Sequence, residues 1–224
     1  MKRYNEYRTV IFMGTTAVVF AVWGKLQASI TALEGLETFY AGLVGVLVSL
    51  GTYELILNVV EFIAINFQPL KKFIFGRTYL DGVWVGAYMG YDGTPRYYIE
   101  YYEQDFDSLI IRSKCFYSDK SYKGDWKSTN VAIDEEKGEL YYTYTVNTLD
   151  KGIQTIGFAI FSFDRRDKGT APERLIGFSS EVKSGVMIKS VEEKVPNADK
   201  LTEEQLLDKA IEVYERNKDT ILKE

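Results

Sequence analysis

Histidine is absent from this chain of 224 residues, and cysteine occurs only once, as Cys115. Without histidine the chain lacks the usual general base and the commonest metal ligand, so Ser–His and Cys–His catalysis are excluded. One cysteine excludes an intrachain disulfide and is typical of a reducing compartment. No glycine-rich loop of the phosphate-binding kind occurs, and no carboxylate pair stands out. We therefore expect no enzymatic activity, no metal and no cofactor.

The balance of charge is mildly acidic, with a formal net charge of −5. A nucleic-acid-binding protein is usually basic, at least over one face. We therefore expect no DNA or RNA partner.

Charge is also missing from two stretches near the N-terminus, between Arg8 and Lys25 and between Glu37 and Glu54. Each supplies roughly 16 uncharged residues, near the lower limit of about 17 to 25 for a helix that spans a bilayer. Lys25 can extend its ammonium group to the interface, which lengthens the first span. We predict a transmembrane helical hairpin with a linker helix over residues 1–75.

Basic side chains precede the first span and follow the second, whereas the connection between them is acidic. They are Lys2, Arg3 and Arg8 before, Lys71, Lys72 and Arg77 after, and Glu34 and Glu37 between. By the positive-inside rule, the N-terminus and the domain after the hairpin face the cytoplasm. A cleaved signal peptide is the alternative for the first stretch, because small residues follow it.

A polar stripe continues the second span, since Glu54, Asn58 and Glu61 share one face of a helix. The stripe marks either the point where the helix leaves the bilayer or a face turned to other copies or to water. Gly45 lies in a row of small residues that permits close helix approach. These four residues are our candidates for association between transmembrane helices.

The remainder is rich in strand-forming residues from Tyr79 to about Val195, with turn residues at near-regular intervals. This pattern predicts an all-β, eight-stranded antiparallel up-and-down barrel over residues 76–196. Between Tyr122 and Ser128, aromatic and small residues alternate with charged ones, as in a barrel with a wet outer surface. Residues 197–224 predict a C-terminal helix, capped by Asp199 or Thr202.

The inward-facing positions combine aromatic and polar side chains. Strand parity places Tyr142 and Tyr144 inside from the fifth strand, and Tyr122, Trp126, Ser128 and Asn130 from the fourth. A flat polar ligand such as a nucleobase needs stacking surfaces and hydrogen bonds together. Arg112, from outside or at a strand end, is our candidate for phosphate contact. The alternative is that these side chains simply fill the barrel.

The strand that begins with Gly82-Val-Trp84 is similar to the first strand of lipocalin-like barrels, in which this tryptophan plugs the closed end. With the two-span hairpin, the whole chain resembles the two-transmembrane, β-strand-rich effectors of bacterial cyclic-oligonucleotide (CBASS) anti-phage defence. The resemblance implies a barrel that binds a cyclic dinucleotide made by a partner nucleotidyltransferase. It also implies that the effector then self-associates into a homo-oligomer and disrupts the lipid bilayer of the inner membrane, which kills the infected cell.

Two other classes remain open. A membrane-tethered carrier or sensor of a small apolar ligand would share the Gly-x-Trp strand and the barrel. A scaffold barrel with a filled core would share them too. The nature of the barrel interior decides among the three, because a lipid carrier needs a mostly aliphatic lumen.

Overall fold

The computed structural model describes residues 13–14, 16–18, 20–21, 55, 58–59, 62, 67–105, 108–148, 154–165, 167, 169–182 and 185–222. The chain divides into two compact units, Met1–Phe75 and Gly76–Glu224.

In the first unit, the described residues between 13 and 62 are helical, and helix α1 spans Gln68–Phe75. None of the helices in the described part of the chain is both long and apolar enough to cross a membrane. Most of the predicted hairpin, including Gly45, Glu54 and Glu61, lies outside the described residues. Asn58 is described, and it is helical and exposed.

The second unit is a closed antiparallel barrel in which each strand pairs with its neighbours in sequence and β8 returns to β1. The strands are β1 (Gly82–Met89), β2 (Pro95–Gln104), β3 (Leu109–Phe116), β4 (Tyr122–Asp134), β5 (Glu139–Thr148), β6 (Gln154–Asp164), β7 (Arg174–Glu181) and β8 (Ile188–Lys194). The predicted eight-stranded up-and-down barrel is confirmed. A 3₁₀ turn at Gly76–Thr78 precedes it.

Helix α2 (Glu203–Leu222) lies on the outside of the barrel against β1, β2 and β8. Its buried stripe includes Leu206, Ala210 and Val213, whose spacing of four and three residues places them on one face of the helix. Thr202 and Gln205 cap its first turn reciprocally: the Thr202 N–H donates to Oε1 of Gln205 at 2.9 Å, and the Gln205 N–H donates to Oγ1 of Thr202 at 3.3 Å. Asp199 lies instead in a preceding 3₁₀ turn.

One end of the barrel is filled by Trp84, which is fully buried. Its indole Nε1 donates to the carbonyl oxygen of Leu80 at 2.7 Å, and its ring lies 5.4 Å from that of Tyr102. The side chain of Gln104 accepts from the Leu80 N–H at 2.8 Å and donates to the Thr78 carbonyl at 2.9 Å. These hydrogen bonds satisfy backbone N–H and carbonyl groups of the segment that leads into β1, and they close this end of the barrel.

A register shift between Ser128 and Asn130 overturns one prediction about β4. Ser128 pairs with the inward Tyr144, but Asn130 pairs with Thr143, and both Asn130 and Thr143 are exposed. The irregularity adds a residue to β4, so the strand's parity reverses there. Asn130 therefore faces outward and not inward as predicted.

Candidate ligand-binding cavity

A cavity occupies the end of the barrel opposite Trp84. It contains about 700 Å³ of space free of protein atoms, counting the part open to solvent, so the fully enclosed space is smaller. Its mouth lies near the β1–β2, β3–β4 and β7–β8 connections, since residues next to those connections line it. Six aromatic side chains line the cavity, namely Tyr88, Tyr98, Trp126, Tyr142, Tyr144 and Phe161.

Four of these rings form one continuous wall. Trp126 and Tyr142 are stacked with centroids 5.4 Å apart and an angle of 13° between their planes. Tyr142 in turn stacks on Phe161 at 6.0 Å and 5°, and Tyr144 lies 5.1 Å from Trp126. The predicted inward positions of Trp126, Tyr142 and Tyr144 are confirmed. The wall offers broad flat surfaces of the kind that a planar ligand uses for stacking.

Two glycines allow tyrosine rings to lie flat against the barrel wall. A methyl group on Gly157 would come within 2.3 Å of Cζ of Tyr144, its partner across the strand pair. A methyl group on Gly86 would come within 2.4 Å of Cζ of Tyr98 in the same way. Because the glycines have no side chain, the rings occupy that space and the centre of the barrel stays open.

Tyr98 passes over Gly86 of β1 and reaches Glu192 on β8. Its hydroxyl donates to Oε1 of Glu192 at 3.3 Å, and the hydroxyl of Tyr102 donates to Oε2 at 2.9 Å. Glu192 also shares a hydrogen bond with Glu100. Glu100 and Glu192 are 1% and 0% exposed, so two carboxyl groups meet inside the barrel with almost no solvent.

Burial raises the pKa values of both carboxyl groups. Desolvation raises the pKa of Glu192 to about 7, although hydrogen bonds from Tyr102, Glu100 and Tyr98 act in the opposite direction. The pKa of Glu100 lies well above its ordinary value of 4.5, first through desolvation and then through the neighbouring charge of Glu192. We therefore assign one shared proton to the pair near neutral pH, since both pKa values are raised and the two groups share a hydrogen bond.

A lysine side chain, that of Lys123, lies at the mouth of the cavity. The ammonium group of Lys123 donates to the hydroxyl of Tyr88 at 3.1 Å and lies 5.8 Å from the centre of that ring. A register shift places it there, because Cys115 pairs with Gly124 whereas Phe116 pairs with Tyr122. Tyr122 is accordingly exposed, contrary to its predicted inward position. Of the lining residues that the structure describes, only Lys123 is cationic.

The other predicted site residues do not line the cavity. Ser128 is buried, but its hydroxyl oxygen accepts the Ile111 N–H at 2.9 Å and so joins β4 to β3. Asn130 faces outward, as described above. Arg112 is on the exposed face of β3, where it forms an ion pair with Glu103. Its guanidinium group is thus held on the outer surface of the barrel.

The acidic pair was missed by the sequence analysis, although its signal was present. Glu100 has the same parity as Tyr98 and Tyr102 in β2, and Glu192 has the same parity as Ser190 in β8. A carboxylate at an inward position of a strand is unusual, because charged groups are rarely buried without a partner. Parity, which identified the aromatic wall, would also have identified these two residues.

No protein-family model matches the chain, and no curated protein matches it in sequence. The fold and the cavity therefore define a structural class: a closed eight-stranded up-and-down barrel with a polar, aromatic cavity open at one end.

Proposed function

We propose that the chain is a membrane-anchored effector whose barrel binds a cyclic dinucleotide. The observation that carries this proposal is the stacked wall of Trp126, Tyr142 and Phe161 beside a mouth that holds Lys123. Stacking on aromatic rings and a cation for phosphate are the two contacts that a nucleotide needs.

The charges of the cavity suggest how such a ligand is oriented. The deep part holds the Glu100–Glu192 pair, which repels a phosphate group. Lys123, Asp125 and Glu181 line the cavity nearer the mouth, and Asp125 accepts hydrogen bonds from the side chains of Tyr122 and Asn147. Lys123 is the group there that can attract a phosphate. A nucleobase therefore enters and stacks on the wall, while the phosphates stay at the mouth. Lys123 takes the role that the sequence suggested for Arg112.

The same interior argues against a carrier of an apolar ligand. Such a ligand would leave the buried Oε2 of Glu100 without a hydrogen-bond partner, which is costly in an apolar environment. A lumen suited to a lipid would be mainly aliphatic, whereas this one presents tyrosine hydroxyls, serines, three glutamates and an aspartate.

Residues 1–75 complete the proposed effector. They anchor the chain in the bacterial inner membrane with the N-terminus and the barrel in the cytoplasm, and ligand binding leads to self-association that disrupts the bilayer. A charge facing lipid costs at least about 2.5 kcal/mol, so Glu54, Asn58 and Glu61 are proposed to lie between neighbouring copies. Gly45 would allow those helices to approach closely. This part rests on the sequence pattern alone.

Two measurements on the full chain test the proposal. In non-ionic detergent, a cyclic dinucleotide should raise the melting temperature, and Trp126→Leu should weaken binding by about 1 to 3 kcal/mol because one stacking surface is lost. Tyr141→Leu, on the outer face next to Tyr142, is the matched control and should bind normally. Stabilisation by fatty acids and by no cyclic nucleotide would favour the carrier.

In lipid vesicles, the reconstituted chain should release a trapped dye when the same ligand is added. The double variant Glu54→Leu, Glu61→Leu should bind ligand but release less dye, whereas Glu34→Leu in the connecting loop should behave as the wild type. If the double variant releases as much dye as the wild type, the polar stripe takes no part in the proposed assembly. If the wild type binds ligand but releases no dye, the proposed disruption of the bilayer is wrong.

A further inference from the structure

One buried acceptor in the cavity has no partner. Oε2 of Glu100 makes no hydrogen bond with any residue that the structure describes, although the side chain is 1% exposed and lines the cavity. Ser113, the cross-strand partner of Glu100 on β3, is likewise buried, and its hydroxyl has no partner among the described residues. Polar groups buried without partners are rare in folded proteins, and such a group in a cavity is a candidate for ligand contact.

The surrounding contacts explain why this particular oxygen is left open. Both oxygens of Glu192 accept hydrogen bonds from tyrosine hydroxyls, and Glu192 also shares a hydrogen bond with Glu100. The tyrosines that hold Glu192 are fixed in place, one of them by lying over Gly86. Glu192 is therefore fully engaged within the barrel, whereas Glu100 has a remaining acceptor at the cavity.

We propose that the Glu100–Glu192 pair recognises an N–H donor group of the ligand, which stacks on Trp126 and Tyr142 and donates to Oε2 of Glu100. This inference rests on the proposed function, since the donor is then the edge of a nucleobase. A small organic amine carries the same N–H chemistry and would use the same acceptor. An anionic pair surrounded by aromatic rings attracts positively polarised groups of either kind.

The bases differ in how well they fit such an acceptor. Guanine presents two adjacent N–H donors on one edge, and adenine presents one amino group beside a ring acceptor. Uracil presents a single N–H between two carbonyl oxygens, both of which would face the carboxyl groups. We therefore expect cyclic di-GMP to bind more tightly than cyclic di-AMP, and cyclic di-UMP to bind least.

Calorimetric titration of the full chain in non-ionic detergent tests the inference. The probes are cyclic di-GMP, cyclic di-AMP, cyclic di-UMP and tyramine, with the wild type, Glu100→Leu and Glu103→Leu. Glu103 lies on the outer face of β2 and pairs with Arg112, so its variant is the matched control. Glu100→Leu should weaken binding of cyclic di-GMP by about tenfold or more and narrow its advantage over cyclic di-AMP, because leucine offers the ligand no acceptor.

The outcomes separate this inference from the proposed function. Equal binding of the three cyclic dinucleotides, or no effect of Glu100→Leu on any of them, would overturn the inference and leave the proposed function standing. No binding of any cyclic dinucleotide would overturn the proposed function. Tyramine binding that Glu100→Leu abolishes would then still support recognition of an N–H donor. If Glu100→Leu does not fold, the ranking of bases on the wild type and the variant Glu100→Asp decide the question.

Discussion

Raising the pH from about 5 to about 8 should destabilise this protein, because Glu192 is buried with a pKa of about 7. In the unfolded chain its carboxyl group has the ordinary value of 4.5 and loses its proton first. Between these two values the folded state retains a proton that the unfolded state has released. The stabilising contribution is therefore complete below pH 4.5 and is lost as the pH rises through about 7.

The size of the effect follows from the two pKa values. The interval from 4.5 to about 7, at about 1.4 kcal/mol for each unit, gives a loss of about 3 to 4 kcal/mol for Glu192. Glu100 acts in the same direction, since its pKa is also raised. Stabilities of folded domains are about 5 to 15 kcal/mol, so a loss of this size is easily measured.

Few other groups titrate in this range of pH. The sequence contains no histidine. Hydrogen bonds hold the pKa values of Asp92, Asp119 and Asp134 below their ordinary value, so these carboxylates remain ionised above pH 5 and influence stability only in stronger acid. The slope between about pH 5 and 8 therefore reports mainly the buried pair.

Urea unfolding of the full chain in non-ionic detergent, followed by tryptophan fluorescence at a series of pH values, measures the effect. The double variant Glu100→Gln, Glu192→Gln should show a nearly flat profile, because neither position can then ionise. The control Glu103→Gln, Glu193→Gln removes one carboxylate from the outer face of each of the same two strands and should keep the wild-type slope. A wild-type stability that is constant or increases from about pH 5 to about 8, or a double variant that keeps the slope, would refute the reasoning.

Two further predictions concern stability. Gly157→Ala should lower the free energy of unfolding by about 1 to 3 kcal/mol, since the added methyl group overlaps the ring of Tyr144. Gly169→Ala, whose methyl group would meet nothing within 4 Å, should have little effect in the same urea titration, and equal losses would contradict the packing argument. Thr202→Ala should cost about 1 kcal/mol because it removes the cap of α2. Thr202→Ser keeps the hydroxyl and should be close to neutral, and a loss as large as that of alanine would rule out the cap as the cause.

The sequence was sufficient to predict the order of the strands, because turn residues recur at near-regular intervals. It was also sufficient to predict the aromatic wall, because side chains alternate between the two faces of a strand. Prediction of the facing side failed where this alternation is interrupted. Asn130 and Tyr122 were assigned to the interior by counting through irregularities that add a residue to β4. Such irregularities leave no fixed mark in the residues themselves, so parity is dependable only between them.

The acidic pair of Glu100 and Glu192 shows a second limit to what strand parity can predict. Glu100 and Glu192 are separated widely in sequence and become neighbours only through the closure of the barrel. Parity indicates that each faces inward, but not that the two share a proton. Contacts of that kind depend on side-chain directions, such as the passage of Tyr98 over Gly86.

The pairing of β8 with β1 has a consequence for how the barrel forms. Each other strand pair joins neighbours along the chain, so it can form early, whereas this pair must bring together segments from the two ends of the domain. Helix α2 follows β8 directly and packs over β1, β2 and β8, so it covers the junction. Loop closure over such a distance is slow, and α2 can cover the junction only once β1 and β8 are side by side. Glu100 lies on β2, which pairs with β1, and Glu192 lies on β8, so we expect the carboxyl pair to form, and to take up its proton, only when β8 reaches β1.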